Sequence, residues 1–270
     1  MKKIANIVIK KSEYQIDLNN FYDLSIPIHI DKKSPSFYDS NPLTINYYKD
    51  PTEKVWNTKD GAACNIPVID LNIHCGSTHS ECRSHITKEK LYISKIIKDS
   101  FIPSILISVE PSNDMAEETY HYDIEDEDLI ITKKILREKI DSLKGTNINT
   151  VIIRTLPNIE AEIICRDYNK RKNPFFSNEA ISYIKKLGVQ NLVVDLPSID
   201  KFDDGGLLGN HRIFWNLKEE PNNNTITELA LIKNEVKDGY YLLSLNILNM
   251  NLDASPCRPL IYPILKKSQL

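Results

Sequence analysis

Residues 74–85, HCGSTHSECRSH, carry three of the six histidines in the chain, with a glutamate between two of them. These residues are His74, His79, Glu81 and His85. Imidazole nitrogens and carboxylate oxygens are ligands that zinc and similar metals take in proteins, and a hydrolytic site leaves one coordination position open for water. This concentration of ligands predicts a metal site. In the alternative interpretation, the histidines are polar loop residues that hydrogen-bond to the backbone.

The elements around this segment can bring its ligands together. Residues 68–73, VIDLNI, alternate between apolar and polar side chains and predict a strand that ends at His74. A strand fixes the first ligands, and the loop after it can bend back so that His74 and His79 converge on one ion. Cys82 is expected to be a buried structural thiol, because nothing in the sequence identifies a group that would activate it.

The same segment resembles a known family. The pattern Thr78-His79-x-Glu81-x-x-x-His85 is similar to the Thr-His-x-Asp-x-Pro-x-His core of the cyclase family, whose best-known members are bacterial kynurenine formamidases. His74 fits the family's upstream histidine, at a spacing one residue wider than usual. Glu81 stands where most members have aspartate, and Arg83 where many have proline. We interpret these differences as those of a divergent subgroup with glutamate in place of the motif aspartate.

Further matches to the cyclase family follow along the chain, so the resemblance spans residues 23 to 260. Residues 23–27, DLSIP, resemble the family's opening motif, and residues 195–200, DLPSID, match its Asp-x-x-Ser-x-Asp segment. His211 takes the position of a metal-binding histidine in the loop that follows. Glu228 fits the family's last ligand, and residues 252–259, LDASPCRP, resemble its closing segment.

The resemblance implies a site with two divalent metal ions, zinc in the first instance and manganese as the alternative. His74, His79 and Glu81 would hold the first ion. Glu81 and Glu228 would bridge to the second ion, which His211 would also bind. His85 would be the catalytic acid–base residue and not a ligand. The resemblance also implies the family's swivelling β/β/α fold and a homo-oligomer, either a dimer or a tetramer.

Composition limits the partners and the compartment. The chain has 270 residues and a formal net charge of −3, which offers no electrostatic footprint for nucleic acid or an anionic membrane. We see no apolar run of about 18 residues, so no membrane-spanning helix is expected. Five cysteines and no recognisable signal peptide indicate reduced thiols and a cytoplasmic protein.

Periodicity predicts an α/β fold with a mixed sheet and flanking helices, in one domain over residues 1–270. Apolar runs at 150–155 and 189–196 read as buried strands, and Ser177 as the N-cap of a helix through Leu187. Strand, helix and strand make a βαβ unit with parallel pairing. Residues 129–143 also have helical spacing.

Other regions support weaker expectations. Residues 31–60 read as a long loop whose aromatic side chains wall a pocket, contact a second subunit or pin the loop to the core. Residues 111–128 are acidic and expected to be exposed, with His121 away from the site. His29 is expected at the surface or behind the ligands. Arg83 could recognise a carboxylate on a substrate.

Together these features predict a metal-dependent hydrolase that cleaves a carbon–nitrogen bond of a small molecule, in an amide, a formamide or a cyclic amide. Two metal ions can polarise a carbonyl and supply hydroxide near neutral pH, so no nucleophilic side chain is needed. A histidine such as His85 can pass a proton to the leaving group. The alternative is a catalytically inactive relative of the same fold that binds metal or a small molecule.

Overall fold

The computed structural model describes residues 1–29, 34–41, 43–115, 117–141, 143, 148–170 and 172–269. Its strands in chain order are β1 (Ile4–Ile9), β2 (Ser12–Asp17), β3 (Tyr22–Asp23), β4 (Thr44–Tyr47), β5 (Pro67–Asp70), β6 (His79–Glu81), β7 (Ile102–Val109), β8 (Ile130–Ile131), β9 (Thr150–Thr155), β10 (Phe175–Phe176), β11 (Asn191–Val194), β12 (Thr225–Glu228), β13 (Gly239–Ile247), β14 (Ala254–Pro263) and β15 (Lys266–Gln269). Its helices are α1 (Ile73–Gly76), α2 (Ile93–Ile96), α3 (Lys133–Asp141), α4 (Glu160–Ile163), α5 (Asn178–Lys186) and α6 (Gly209–Phe214).

The central sheet runs in the order β13-β7-β9-β11-β12-β6-β14-β3. Strand β13 also pairs with β14, which closes seven of these strands into a barrel and leaves β3 on the outside of β14. The pairs β7–β9, β9–β11 and β11–β12 are parallel, whereas the pairs involving β6, β13 and β14 are antiparallel. This mixed sheet with flanking helices confirms the α/β class.

The parallel strands are buried on both faces, which explains their nearly continuous apolar sequences. Every residue of β7 is buried. Alternate side chains of a strand point to opposite faces, so Ile105 and Ile107 pack in the cluster that includes Leu136 of α3 and Ile181 of α5. Leu106 faces the other way, into a second apolar cluster. The helices therefore cover one face of the sheet.

The predicted βαβ unit is confirmed. Strand β9 covers Thr150–Thr155, and β11 lies within the predicted range and pairs with β9 in parallel. Ser177 caps α5, because its side chain accepts a hydrogen bond from the backbone N–H of Ala180. These local sequence signals sufficed because the unit is short and its two strands are direct neighbours.

The predicted helix over residues 129–143 is wrong at its start. Residues 130 and 131 form β8, which pairs in parallel with β10, and the helix α3 covers only Lys133–Asp141. The Thr132 hydroxyl accepts from the N–H of Ile135, so the helix begins after this residue. Residue 142 lies outside the described residues. A distant strand partner thus overrides helical spacing here.

The predicted strand over residues 68–73 is partly wrong. Strand β5 ends at Asp70 and pairs with β4 in a separate two-stranded ribbon, not in the barrel. The Asn72 side chain accepts from the N–H of Cys75 and caps α1. His74 therefore lies on a one-turn helix and not at the end of a strand.

Candidate metal centre

Four of the predicted site residues lie on one continuous stretch. His74 is on α1, and His79 and Glu81 are the first and last residues of β6. Alternate residues of a strand point to the same side, so these two side chains share a face. His85 ends a 3-10 turn directly after the strand.

The other two predicted residues come from distant parts of the chain. Glu228 is the last residue of β12, and the antiparallel pairing of β12 with β6 places it opposite His79. His211 is on α6, in the connection between β11 and β12. The closed barrel therefore brings three separate segments to one point.

Glu81 is the centre of the arrangement. Its Oε2 lies 3.1 Å from His74 Nδ1 and 3.8 Å from His85 Nε2, and its Oε1 lies 3.0 Å from His211 Nε2. One buried carboxylate thus faces three imidazoles. Glutamate, one methylene longer than aspartate, reaches all three positions from β6.

Glu228 closes the other side of the site. Its Oε2 lies 3.6 Å from His79 Nε2, and its Oε1 lies 3.7 Å from His211 Nε2. The backbone N–H of Ile199 donates to Oε1 at 3.0 Å and fixes this carboxylate. The structure thus brings all six predicted site residues together.

One buried nitrogen in this site has an unused lone pair. His79 Nδ1 lies 2.9 Å from the Ser77 carbonyl, which places the ring proton on Nδ1. His79 Nε2 then accepts no hydrogen bond from any residue that the structure describes. An unpaired buried acceptor is costly unless a cation or water satisfies it.

Ligand atoms group around two positions. One group is His74, Glu81 and His85, and the other is His79, Glu81 and Glu228; within each, the atoms lie within 4.8 Å of one another. Glu81 belongs to both groups, which is the arrangement of a bridging carboxylate. The donor set of imidazoles and carboxylates fits a divalent transition metal.

The electrostatics also fit a cation. Burial, and then the negative charge of Glu81, raises the pKa of Glu228 to about 8. Burial, and then the positive charge of His74, lowers the pKa of His79 to about 4. Burial opposes ionisation of Glu81, but the imidazoles of His85, His211 and His74 lower its pKa below the ordinary value. The site thus already favours positive charge beside Glu81, and a divalent ion held there would be the largest local charge.

Asp253 is a site residue that the sequence interpretation missed. Its Oδ2 lies 3.1 Å from His74 Nε2 and 3.2 Å from His85 Nδ1. The two imidazoles stack with their centroids 4.1 Å apart. Asp253 thus orients both rings with their other nitrogens towards Glu81. The available signal was its place in the closing segment that resembles the family.

Asp200 is a second missed residue. Its Oδ2 lies 2.6 Å from His211 Nδ1, so it fixes the tautomer in which Nε2 faces Glu81. This is the usual carboxylate–histidine arrangement behind a metal ligand. His121, which we expected to be remote from the site, lies only 3.5 Å from Asp200.

A third group of ligand-type residues is held by backbone hydrogen bonds. His121, Asp200 and Asp204 lie close together. Both oxygens of Asp204 accept backbone hydrogen bonds, from Gly206 at 2.9 Å and from Leu208 at 2.7 Å. The protein therefore already uses one lone pair of each Asp204 oxygen.

Arg83, a candidate for recognising a substrate carboxylate, already has partners within the protein. Its Nε and one terminal nitrogen donate to Glu89 at 3.0 and 2.8 Å. The other terminal nitrogen donates to the Asn222 carbonyl at 2.6 Å and to the Asn223 side chain. Arg83 thus ties the turn after β6 to the loop before β12.

Two aromatic residues of the loop over residues 31–60 lie in different environments. Phe37 is buried beside Cys75 and pins the loop to the core. Tyr38 is half-exposed and stacks on Phe202 with ring centroids 4.9 Å apart. Burial, and then the nearby carboxylates of Asp204, Asp200 and Glu228, raises the pKa of Tyr38 to about 12. Tyr38 therefore lies on the side of the barrel that carries the site. Residues 31–33 and 42 of this loop lie outside the described residues.

Cys82 is buried and His29 is partly exposed. Cys82 is fully buried, its thiol lies 3.2 Å from the Ser84 hydroxyl, and burial raises its pKa. This is the environment of an inert thiol and not of a nucleophile. His29 is partly exposed and makes no hydrogen bond or ion pair with the site residues in the described ranges.

The chain is similar in sequence to known proteins. Curated relatives include the kynurenine formamidase of Bacillus cereus, 21% identical over 213 residues, or 78% of this chain and 87% of the relative. The kynurenine formamidase of Bacillus cytotoxicus is 32% identical over 92 residues, or 34% of this chain and 41% of the relative.

Solved structures show the same fold. Isatin hydrolase A from Labrenzia aggregata superposes with a TM-score of 0.59 at 15% identity, over 90% of this chain and 93% of that one. A predicted metal-dependent hydrolase from Bacillus stearothermophilus gives a TM-score of 0.59 at 17% identity, over 90% and 97%. The family model described as "Putative cyclase" matches residues 22–201, about two thirds of the chain. The chain belongs to the cyclase family.

Proposed function

We propose that the protein is a metal-dependent hydrolase that cleaves a carbon–nitrogen bond of a small amide, formamide or cyclic amide with water. The observation that carries this proposal is the convergence of five ligand-type side chains around Glu81, with His79 Nε2 left unpaired. The kynurenine formamidases and isatin hydrolases among its relatives support the class of bond.

His74, His79, Glu81, His211 and Glu228 would hold the metal, which we propose to be two zinc ions, with manganese as the alternative. A divalent metal in this position polarises a carbonyl oxygen and lowers the pKa of water to about 7. The protein contributes the orientation of the ligands: Ser77 holds His79, Asp200 holds His211, and Ile199 holds Glu228.

His85 is the proposed acid–base residue. Asp253 accepts from Nδ1, which leaves Nε2 directed towards Glu81 and available to exchange a proton. Its side chain is 28% exposed, more than that of His79 or His211, so a substrate can reach it. His85 would donate a proton to the leaving amine after water has attacked the carbonyl.

Domain number, oligomeric state and location are further proposals. One domain over residues 1–270 is supported by the barrel, whose pairings join β3 near one end of the chain to β14 near the other. A homo-oligomer is supported by the β4–β5 ribbon, because Val68 and Ile69 are about half exposed there and a two-stranded ribbon is marginally stable alone. A cytoplasmic location rests on the free thiols.

No helix in the described ranges is both long enough and apolar enough to cross a bilayer.

The decisive experiment is metal content by elemental analysis, for protein from cells supplied with zinc and manganese. Wild type should contain about two ions per chain, and the His79→Ala/His211→Ala double variant should contain almost none. His29→Ala is the matched control and should keep its metal. Wild-type protein without stoichiometric metal would refute the proposal.

Activity separates the hydrolase from an inactive relative that binds metal. The metal-loaded protein should hydrolyse an N-formyl arylamine or a cyclic aryl amide, and His85→Ala should abolish this turnover while it keeps the metal. Full metal content without turnover of any formamide or cyclic amide would favour the inactive relative.

A further inference from the structure

The Asp200 carboxylate lies directly behind the proposed ligand His211. Its Oδ2 accepts from the His211 ring at 2.6 Å and from the His211 backbone at 3.2 Å. Its Oδ1 accepts from the backbone of Asn210 at 2.9 Å and from the Tyr120 hydroxyl at 3.1 Å. The position of Asp200 therefore determines where His211 Nε2 points.

His121 braces the same loop from the other side. The backbone N–H of Gly209 donates to His121 Nε2 at 3.0 Å, and Nδ1 lies 2.9 Å from the Asn178 side-chain oxygen. The ring also fills the space above Gly209, since a Cβ there would lie 2.3 Å from the ring. Gly209 is the first residue of α6, so the imidazole fixes the start of the helix that carries His211.

The segment that carries His121 is itself anchored. The backbone N–H and the hydroxyl of Thr119 donate to Glu179 on α5 at 2.7 and 2.8 Å. The Tyr120 hydroxyl also accepts from the backbone of Lys201 at 2.7 Å. The segment therefore connects α5 to the loop that holds Asp200, and it is held at both ends.

We infer that His121 is a positioning residue, which orients the ligand His211 through the start of α6. We call His121, Asp200 and Asp204 the brace. This inference rests on the proposed metal centre. Each carboxylate oxygen of the brace accepts a backbone N–H group, so we assign the brace to positioning and not to metal binding.

The test measures how tightly the full-length protein binds Co²⁺, by competition with a chromophoric chelator, together with the visible spectrum of the bound ion. Asp200→Asn should weaken binding about 10–100-fold, as changes behind a metal ligand do. His121→Ala should weaken it by up to about tenfold and alter the Co²⁺ spectrum, which depends on ligand geometry. The double variant should lose less affinity than the product of the two single losses, because both residues hold the first residues of α6.

The controls separate positioning from plain stabilisation. His29→Ala should match wild type, since it removes a histidine outside the brace. If His121→Ala does not fold, His121→Gln, which keeps an acceptor for the Gly209 N–H, should give a smaller change of the same kind. A lower melting temperature of the metal-free protein with unchanged Co²⁺ affinity and spectrum would overturn the inference, and so would additive losses in the double variant.

The outcomes also distinguish the two proposals. Wild-type protein that binds no Co²⁺ would refute the metal centre, and the brace inference with it. If a folded His121→Ala variant binds Co²⁺ as tightly as wild type does and gives the same spectrum, the brace inference is overturned. The metal centre is then unaffected.

Discussion

Two groups of histidines and carboxylates meet at the two ring nitrogens of His211. Nε2 faces the metal centre at Glu81, and Nδ1 faces the brace at Asp200. Both groups are partly or fully buried and have the residue types of a metal site. They differ in how their lone pairs are used. A backbone N–H group donates to every carboxylate oxygen of the brace, whereas His79 Nε2 in the metal centre accepts nothing from the described residues. Residue type alone therefore does not identify a metal site.

The two groups also differ in how the protein treats the charge of their carboxylates. Burial alone would raise the pKa of Asp204, but the His121 ring and the backbone N–H groups lower it below its ordinary value. The pKa of Glu228 instead rises to about 8, because burial and Glu81 outweigh its partners. The protein thus stabilises the ionised form of Asp204, whereas at Glu228 it favours the protonated form, which a bound cation would convert to the carboxylate.

The largest expected effect comes from exchanging one carboxylate in each group for its amide. Glu81→Gln should weaken metal binding by more than the 10–100-fold typical of residues behind the ligands, because both ligand groups lose their shared anion. Asp204→Asn should keep the metal within about tenfold. Isothermal titration with Zn²⁺ measures both variants. Equal losses would mean that the brace also binds the ion.

Asp204→Asn should instead show its effect on folding. An amide offers one acceptor oxygen where the carboxylate offers two, so one backbone N–H of the loop loses its partner, at a cost of about 1–3 kcal/mol. Denaturant unfolding of the metal-free protein measures this loss. An Asp204→Asn variant with unchanged stability but no metal would reverse the roles assigned to the two groups.

A His85 variant tests whether this residue is the acid–base residue or a metal ligand. His85→Gln should lower kcat by about 10²–10⁴-fold, the range for loss of general acid–base catalysis, with metal content unchanged. Steady-state kinetics and elemental analysis on the same preparation check both parts, with His29→Gln as the control. Loss of metal along with activity would make His85 a ligand, as its position beside His74 and Glu81 also permits.

The sequence predicted the parts of the fold that depend on local signals. The strand β9 and the cap of α5 are where apolar runs and Ser177 placed them, because a buried parallel strand and an N-cap are both encoded within a few residues. The six predicted site residues lie together, although His211 and Glu228 are more than 100 positions from His85. Their prediction came from the family resemblance, since spacing alone cannot reveal such contacts.

Non-local contacts and strained backbone account for what the sequence did not predict. Ile130 and Ile131 form a strand only because β10 lies beside them. Leu208 and Leu229 have φ of 49° and 54°, a left-handed conformation that side chains disfavour and that a sequence reader expects of glycine. Leu229 follows Glu228 directly, and its carbonyl accepts from the Thr78 hydroxyl at 2.5 Å, so a distant contact holds the backbone of the ligand in place.

Asp195 can be compared with the carboxylates of both groups, because it is a buried carboxylate with an unpaired oxygen but no histidines around it. Its Oδ2 accepts from the Thr155 N–H at 2.7 Å, while Oδ1 has no partner in the described chain. Burial raises its pKa to about 7. The folded state therefore holds this proton more tightly than the unfolded state, and stability should fall as pH rises from about 4 to about 7.

Asp195→Asn should remove that pH dependence. The amide oxygen can still accept from Thr155, so the variant should be more stable than wild type by about 1–4 kcal/mol at pH 8 and similar to it near pH 4. Denaturant unfolding of metal-free protein across this range is the measurement, and the exposed Asp70→Asn is the control. A stability difference between the variant and wild type that does not change with pH would show that Asp195 is charged in the folded protein. A buried carboxylate with an unpaired oxygen would then not need to be protonated.

Gly209→Ala tests the brace by the space it fills. The added methyl would lie 2.3 Å from the His121 ring, closer than atoms can approach, so either the ring or the start of α6 must move. We expect a loss of about 1–3 kcal/mol, the usual cost of overpacking. Gly76→Ala is the matched control, since its methyl would make only an ordinary contact of 3.6 Å with Leu71. If the ring is what positions His211, the loss should shrink in a His121→Ala background, where the methyl has room. An equal loss in both backgrounds would mean that Gly209 is required by the backbone and not by His121.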